Sequence, residues 1–224
     1  PAGFGGGHVP ANAPETASQY VELSIVEPPS TGAMDNQSQW RTGSTVAAFE
    51  LERDAAGQVR AAHRILRPTQ ASGRRAVALF NLRRATGNAW TAGFPYVDLT
   101  NPRTAEVFLE TTYERYRRQF GDDFGKTVRW SFQDEPLLAT TGPRNPRVTS
   151  LPLSAYTLAE FRKRCGYDLR DGLASLFFDV GDWKRVRFDY WQMLHDLFLE
   201  NFLQPVARWC DRYPNQGKRS GAFS

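Results

Sequence analysis

The sequence predicts an α/β protein with the architecture of a partial (β/α)8 TIM barrel that carries an inserted β-hairpin and long βα loops. Residues 75–82 are almost continuously apolar, which is typical of a strand buried on both faces in a parallel sheet. A helical pattern at 102–120 and a short strand pattern at 127–132 follow, so the elements alternate as in a βαβ unit. A complete barrel needs roughly 250 residues. The 224 residues of this chain are therefore expected to form part of one.

Residues 1–224 are interpreted as one partial barrel made of three stretches. Residues 1–44 are rich in Gly, Pro, Ser, Thr and Asn and are predicted to be mostly loop, with a short strand or helix at 20–26. Residues 45–74 hold the inserted hairpin, because an alternating apolar stretch is followed by a polar turn and a returning stretch. Residues 75–224 supply the barrel strands and helices.

The residues at helix ends indicate where the helices begin and end. Asn101 as a cap and Pro102 in the first turn start a helix that reaches about residue 120. Ser154 caps another helix, which Gly166 terminates, and a short helical piece follows at roughly 169–178. The longest helix covers about 182–213, and Pro205 should kink or split it. The predicted buried face of the first helix consists of Phe108, Leu109, Tyr113, Tyr116 and Phe120.

Composition argues against several classes of function. The net charge of +4 comes from 28 basic and 24 acidic residues that are interleaved, and no binding motif accompanies them, so no nucleic-acid partner is predicted. No run of about 18 apolar residues exists, so no membrane-spanning helix is expected. Cys165 and Cys210 are predicted to be buried apolar residues, and the three histidines are scattered, so neither a metal nor a cofactor is expected. The chain begins without Met and without a signal sequence, which suggests a fragment or a processed product.

Glu135, directly before Pro136, is the predicted catalytic residue. It follows the strand pattern at 127–132, and the carboxyl ends of barrel strands carry the catalytic groups. Trp130 and Phe132 place bulky apolar groups nearby in sequence, and an apolar setting raises the pKa of a carboxyl group toward that of a general acid. A surface turn that contains two acids before proline remains the alternative. Asp134 and Gln133 are candidate substrate-binding neighbours.

A loop rich in aromatic residues follows the first buried strand and suggests sugar binding. The rings of Trp90 and Tyr96 could stack on the apolar face of a sugar, and Asn88 and Asp98 could bind its hydroxyls. The alternative is that the rings pack beneath the loop and that Asp98 accepts hydrogen bonds from backbone amides.

Three segments together resemble a known family. They are Phe94-Pro95-Tyr96-Val97-Asp98-Leu99-Thr100-Asn101-Pro102, the run Phe120-Gly121-Asp122-Asp123-Phe124-Gly125-Lys126-Thr127, and Asp134-Glu135-Pro136. This succession resembles the bacterial α-L-rhamnosidase-like glycoside hydrolases over roughly residues 75–224.

The resemblance implies a glycoside hydrolase with a (β/α)8 catalytic barrel, an oligosaccharide or glycoside substrate and Glu135 as general acid at the end of the fourth strand. It also implies a second carboxylate beyond Ser224, so this chain alone is expected to be inactive. A periplasmic or secreted location is expected from the family, and the oligomeric state is not indicated. The alternative is a catalytically incomplete carbohydrate-binding barrel module.

Overall fold

The computed structural model describes residues 8–28, 44–67, 70–87, 89–129, 131, 136–138 and 149–213. The chain forms two compact units. Unit 1 comprises residues 1–18, 86–139 and 196–224, and unit 2 comprises residues 19–85 and 140–195.

Five strands of unit 2 form one sheet in the order β3-β2-β4-β1-β5. All four pairings between neighbouring strands are antiparallel. The strands are β1 (Gln19–Val26), β2 (Thr45–Arg53), β3 (Val59–Ile65), β4 (Val77–Arg84) and β5 (Ser150–Pro152).

The prediction of a parallel partial TIM barrel is wrong, because the sheet is antiparallel. The apolar run at 75–82 does form a strand, β4, and residues 77–81 are buried. Their burial on both faces comes from a central position between β2 and β1, with apolar side chains packed above and below. The predicted hairpin exists as β2 and β3, but it is not an insertion, since β2 pairs directly with β4. Within the stretch predicted to be mostly loop, the short strand or helix expected at 20–26 is a strand of eight residues, β1.

Alternate residues along β2 and β4 pack on opposite faces of this sheet. On one face, Ala48, Val77 and Leu79 belong to a cluster of buried apolar residues that also contains Val26 and Ile65. On the other face, the ring of Phe80 contacts Phe49 edge-on at 5.7 Å and Phe177 of α5 at 5.3 Å between ring centroids.

Seven α-helices occur among the described residues, together with short 3-10 and π segments. They are α1 (His8–Asn12), α2 (Pro102–Phe108), α3 (Glu114–Phe120), α4 (Ala155–Cys165), α5 (Leu173–Phe177), α6 (Trp183–Phe198) and α7 (Gln204–Arg212). One π-helical segment, Leu109–Tyr113, joins α2 to α3, and another, Leu199–Leu203, joins α6 to α7.

Several predicted helix ends are confirmed. Asn101 caps α2 by accepting a hydrogen bond from the backbone nitrogen of Arg103 at 3.0 Å. Ser154 caps α4, and Gly166 ends that helix with a left-handed φ of 79°. The long helix is split before Pro205, which lies in the first turn of α7.

The core of unit 1 is formed by α1, α2, α7, the π segment Leu199–Leu203 and the segment that precedes α2. Phe108 and Phe202, whose ring centroids are 6.0 Å apart, lie in this core. The predicted buried face of the first helix is wrong at its end, since Tyr116 and Phe120 are exposed. A π segment carries one residue more per turn than an α-helix. The side chains after Tyr113 are therefore rotated away from the face that an ideal α-helix would bury.

The predicted strand at 127–132 is also wrong in its described part. Thr127 lies in a turn, and Val128 makes only an isolated bridge to Phe124. Gly125 has a φ of 80°, and its backbone nitrogen donates to the carbonyl oxygen of Val128 at 3.0 Å. This tight turn uses backbone groups that a longer strand would need for pairing.

Candidate active-site region

The predicted site residues fall partly outside the described residues. Gln133, Asp134, Glu135 and Asn88 all lie outside them. Trp90 belongs to the 3-10 turn Ala89–Thr91, while its side chain lies outside the part of the chain that is described. The site can therefore be described from Tyr96, Asp98 and the described residues that flank residues 132–135. All of them belong to unit 1.

Tyr96 and Asp98 lie in an extended segment whose backbone is held by the start of the chain. The backbone nitrogen and the hydroxyl of Ser18 both donate to the carbonyl oxygen of Tyr96, at 2.8 and 2.9 Å. The backbone nitrogen of Asp98 donates to the carbonyl oxygen of Thr16 at 2.7 Å. These bonds fix the position of both predicted site residues within unit 1.

The carboxylate of Asp98 organises the backbone ahead of α2. Its Oδ1 accepts hydrogen bonds from the backbone nitrogen of Thr100 at 2.9 Å and from the hydroxyl of Thr100 at 2.6 Å. The carbonyl oxygen of Asp98 accepts a further bond from the hydroxyl of Thr104 at 2.5 Å. The alternative that Asp98 accepts a hydrogen bond from a backbone amide is thus confirmed.

Tyr96 contacts both the core and the segment after Glu135. Its ring packs against the core of unit 1, as does Leu138. Its hydroxyl oxygen accepts a hydrogen bond from the backbone nitrogen of Leu137 at 3.4 Å. Burial raises the pKa of Tyr96 above its ordinary value, so the phenol stays neutral well beyond neutral pH.

Tyr113 provides a corresponding contact on the other side of residues 132–135. Its hydroxyl lies 2.7 Å from the hydroxyl of Ser131, within hydrogen-bonding distance. Its ring contacts Phe108 and Trp209 edge-on, with centroids 5.3 and 4.9 Å away. Burial raises the pKa of Tyr113 as well. The sequence placed Tyr113 only on a buried helix face, because nothing local shows that its hydroxyl meets Ser131.

A hydrogen-bonded group fixes the ring of Trp209 beneath Tyr113. The indole nitrogen of Trp209 donates to Glu114 at 2.7 Å, and Arg117 bonds the other carboxylate oxygen of Glu114 at 2.8 Å. The bond from Trp209, followed by that from Arg117, lowers the pKa of Glu114. The ring of Trp209, which packs against Tyr113, is therefore held in place by a charge-assisted hydrogen bond to Glu114.

Comparison of the chain with protein-family models, curated proteins and solved structures finds no match. In the described part of the chain, no helix has the length and apolar character needed to cross a membrane. The same residues contain no group of three or more His, Cys, Asp or Glu side chains suited to holding a metal ion.

Proposed function

We propose that this chain is part of a glycoside hydrolase in which Glu135 protonates the oxygen of the leaving group. The proposal rests on the sequence resemblance and on one structural observation. Ser131 and Leu137, which are described residues on either side of Glu135, are each hydrogen-bonded to a half-buried tyrosine of the same unit.

A hydrogen bond on each side of Glu135 suits a general acid, because proton transfer requires a carboxyl group held within hydrogen-bonding reach of the leaving oxygen. Tyr96 and Tyr113 add no negative charge, since both phenols stay protonated. Neutral, partly apolar surroundings favour the protonated form of a carboxyl group.

Glycoside hydrolysis also needs a second carboxylate. It would lie about 5–5.5 Å from the first in a retaining enzyme and about 6.5–9.5 Å away in an inverting one. The remaining proposed contacts are with the sugar hydroxyls and ring faces, made by Gln133, Asp134, Asn88, Trp90, Tyr96 and Asp98.

The proposal is tested by Glu135→Gln in the complete polypeptide that supplies both carboxylates. Loss of a general acid should lower kcat by about 10²–10⁴-fold. Glycosides with poor leaving groups should be affected most, because they need the proton most. The fall in rate with rising pH, which reports deprotonation of the acid, should disappear in the variant.

Asp122→Asn is a matched control, because Asp122 is an exposed acid of the same unit. It should retain the rate of the unmodified protein. Near-normal turnover of poor substrates by Glu135→Gln would refute the role of Glu135. Binding of sugars with no hydrolysis by the unmodified protein would instead identify a carbohydrate-binding protein without catalysis.

A further inference from the structure

Unit 2 contains an open cleft of about 510 Å³ that none of the sequence patterns indicated. Small-molecule sites usually have volumes of roughly 300–1,000 Å³. The cleft is lined by residues of β2, β3 and α5, by the segments before and after α5, and by the first turn of α6. Every lining residue belongs to unit 2.

Small apolar side chains cover part of the cleft wall. Ala62 comes from β3, Ala174 comes from α5, and Val180 and Val186 add branched methyl groups. Gly172 and Gly181 present backbone without side chains. Such a wall offers an apolar surface to one face of a ligand ring.

Four charged side chains surround this apolar surface, and their formal charges cancel. Arg60 and Arg185 are positive, whereas Asp171 and Asp182 are negative. All four are exposed to solvent. Arg60 is also ion-paired with Asp54 at 2.6 Å and Arg185 with Asp189 at 3.5 Å, so neither arginine gives the cleft a strong preference for an anionic ligand. The cleft offers strong donors and strong acceptors side by side, which suits a neutral ligand with many hydroxyl groups.

The acceptor with the fewest other contacts is Asp182. Within the described residues, its carboxylate makes neither a hydrogen bond nor an ion pair, so its oxygens are accessible to ligand hydroxyls. Asp171 is also accessible, since its side chain is 74% exposed although its carboxylate forms an ion pair with Nε of Arg64 at 3.7 Å. Nε of Arg64 is buried and has no hydrogen-bond partner in the described structure.

Arg185, one of the two charged hydrogen-bond donors of the cleft, packs against an aromatic ring. The guanidinium of Arg185 lies 5.2 Å from the ring centroid of Tyr167, and the hydroxyl of Tyr167 donates to Asp189 at 2.9 Å. Arg185 Nε is 3.5 Å from the same carboxylate. This arrangement orders the arginine before any ligand binds, which lowers the entropy cost of binding.

We propose that this cleft is a binding site for a neutral saccharide of one or two sugar units. One face of a sugar ring packs against the alanine and valine methyl groups. Its hydroxyls donate to Asp182 and Asp171 and accept from Arg60 and Arg185. The choice of a sugar among neutral polyhydroxyl ligands rests on the proposed function, whereas binding itself requires no catalysis by Glu135.

Calorimetric titration of the full chain carrying Glu135→Gln tests the site, because the substitution removes the proposed general acid and so prevents hydrolysis of the probes during the measurement. The probes are methyl α-L-rhamnopyranoside, cellobiose and maltose, with glucuronic acid and glucosamine as charged comparisons. Saturable binding of at least one neutral probe is expected, with weaker binding of both charged sugars.

Two cleft variants locate the binding. Asp182→Ala removes the most accessible acceptor and should weaken binding by about tenfold, as expected for a hydrogen bond to a charged group. Ala62→Trp fills the cleft and should abolish binding. Asp122→Ala removes an exposed acid of unit 1 and should change nothing. Circular dichroism spectra establish that each variant is folded.

Absence of saturable binding for every neutral probe would overturn the proposal, as would a binding affinity and a number of bound sugars per chain that both cleft variants leave unchanged. Tighter binding of a charged sugar would also overturn it. These outcomes are independent of the test of Glu135, because hydrolysis by the complete protein can fail or succeed whether or not the cleft of unit 2 binds sugar.

Discussion

The hydroxyl of Tyr190 provides a sharp test of how unit 2 is held together. The side chain of Tyr190 in α6 is completely buried, and its hydroxyl donates to the carbonyl oxygen of Pro152 in β5 at 2.6 Å. Strand β5 has only three residues and lies at the edge of the sheet, so this bond is one of its few attachments. Tyr190→Phe deletes one oxygen atom and keeps the ring, so the packing of the ring is retained.

The expected cost follows from the two parts of the lost interaction. A net hydrogen bond contributes about 0.5–1.5 kcal/mol, and leaving a buried acceptor without a partner raises the cost to about 1–3 kcal/mol. Because the site is only partly buried at Pro152, we expect a loss of about 1–2 kcal/mol in the free energy of unfolding. In a protein of this size, each kcal/mol lowers Tm by roughly 2–4 °C.

Urea denaturation followed by circular dichroism measures this loss. Tyr116→Phe is the matched control, because Tyr116 is exposed and makes no hydrogen bond to the described residues through its hydroxyl. The control should change stability by less than about 0.5 kcal/mol. If Tyr190→Phe costs no more than the control does, the bond to Pro152 does not stabilise β5 and the reasoning fails.

Two further predictions concern unit 1. Asn101→Ala removes the cap of α2 and should lower the free energy of unfolding by about 1 kcal/mol. Asn101→Asp keeps a capping oxygen and should retain most of that free energy. Equal losses for the two variants in urea denaturation would count against the capping role. The bonds from Trp209 and Arg117 lower the pKa of Glu114 below its ordinary value of 4.5. The ionised carboxylate therefore stabilises the folded protein above pH 4.5, and this stabilisation is lost as the pH falls through the lowered pKa of the folded state. Measured as Tm against pH, Glu114→Gln should flatten the acid decline, and an unchanged decline would show that the carboxylate contributes nothing.

The helix ends could be predicted from the sequence, because capping residues act on backbone groups only a few positions away. Asn101 binds an amide two residues away, and Gly166 is needed only for its own φ of 79°. Both are consequences of the immediate sequence, and both were predicted correctly.

Strand direction depends on partners that are distant in the sequence, and no local pattern reveals it. The run that forms β4 is buried on both faces whether its neighbours are parallel or antiparallel. Its actual partners, β1 and β2, both precede it in the chain. Because β1 lies within the segment predicted to be mostly loop, it was not expected to pair with β4. The strand pattern at 127–132 supplied the next strand of the predicted sheet instead, which gives the order of a parallel barrel.

The candidate site was predicted unevenly for the same reason. The structural role of Asp98 could be weighed from its position just before a helix. The contacts of Tyr113 with Ser131 and of Tyr96 with Leu137 join residues 18 and 41 positions apart, and no spacing rule predicts them. The cleft of unit 2 brings together β3, α5 and α6, so its lining could be recognised only after folding.

The two π segments bear on how this chain compares with other sequences. Each has the form of a single residue inserted into a helix, absorbed by one widened turn. A sequence that shares these helices without the widened turns would align with this chain through a one-residue gap inside 109–113 or 199–203. An alignment that places every gap in a loop would misplace α3 and α7 by one position.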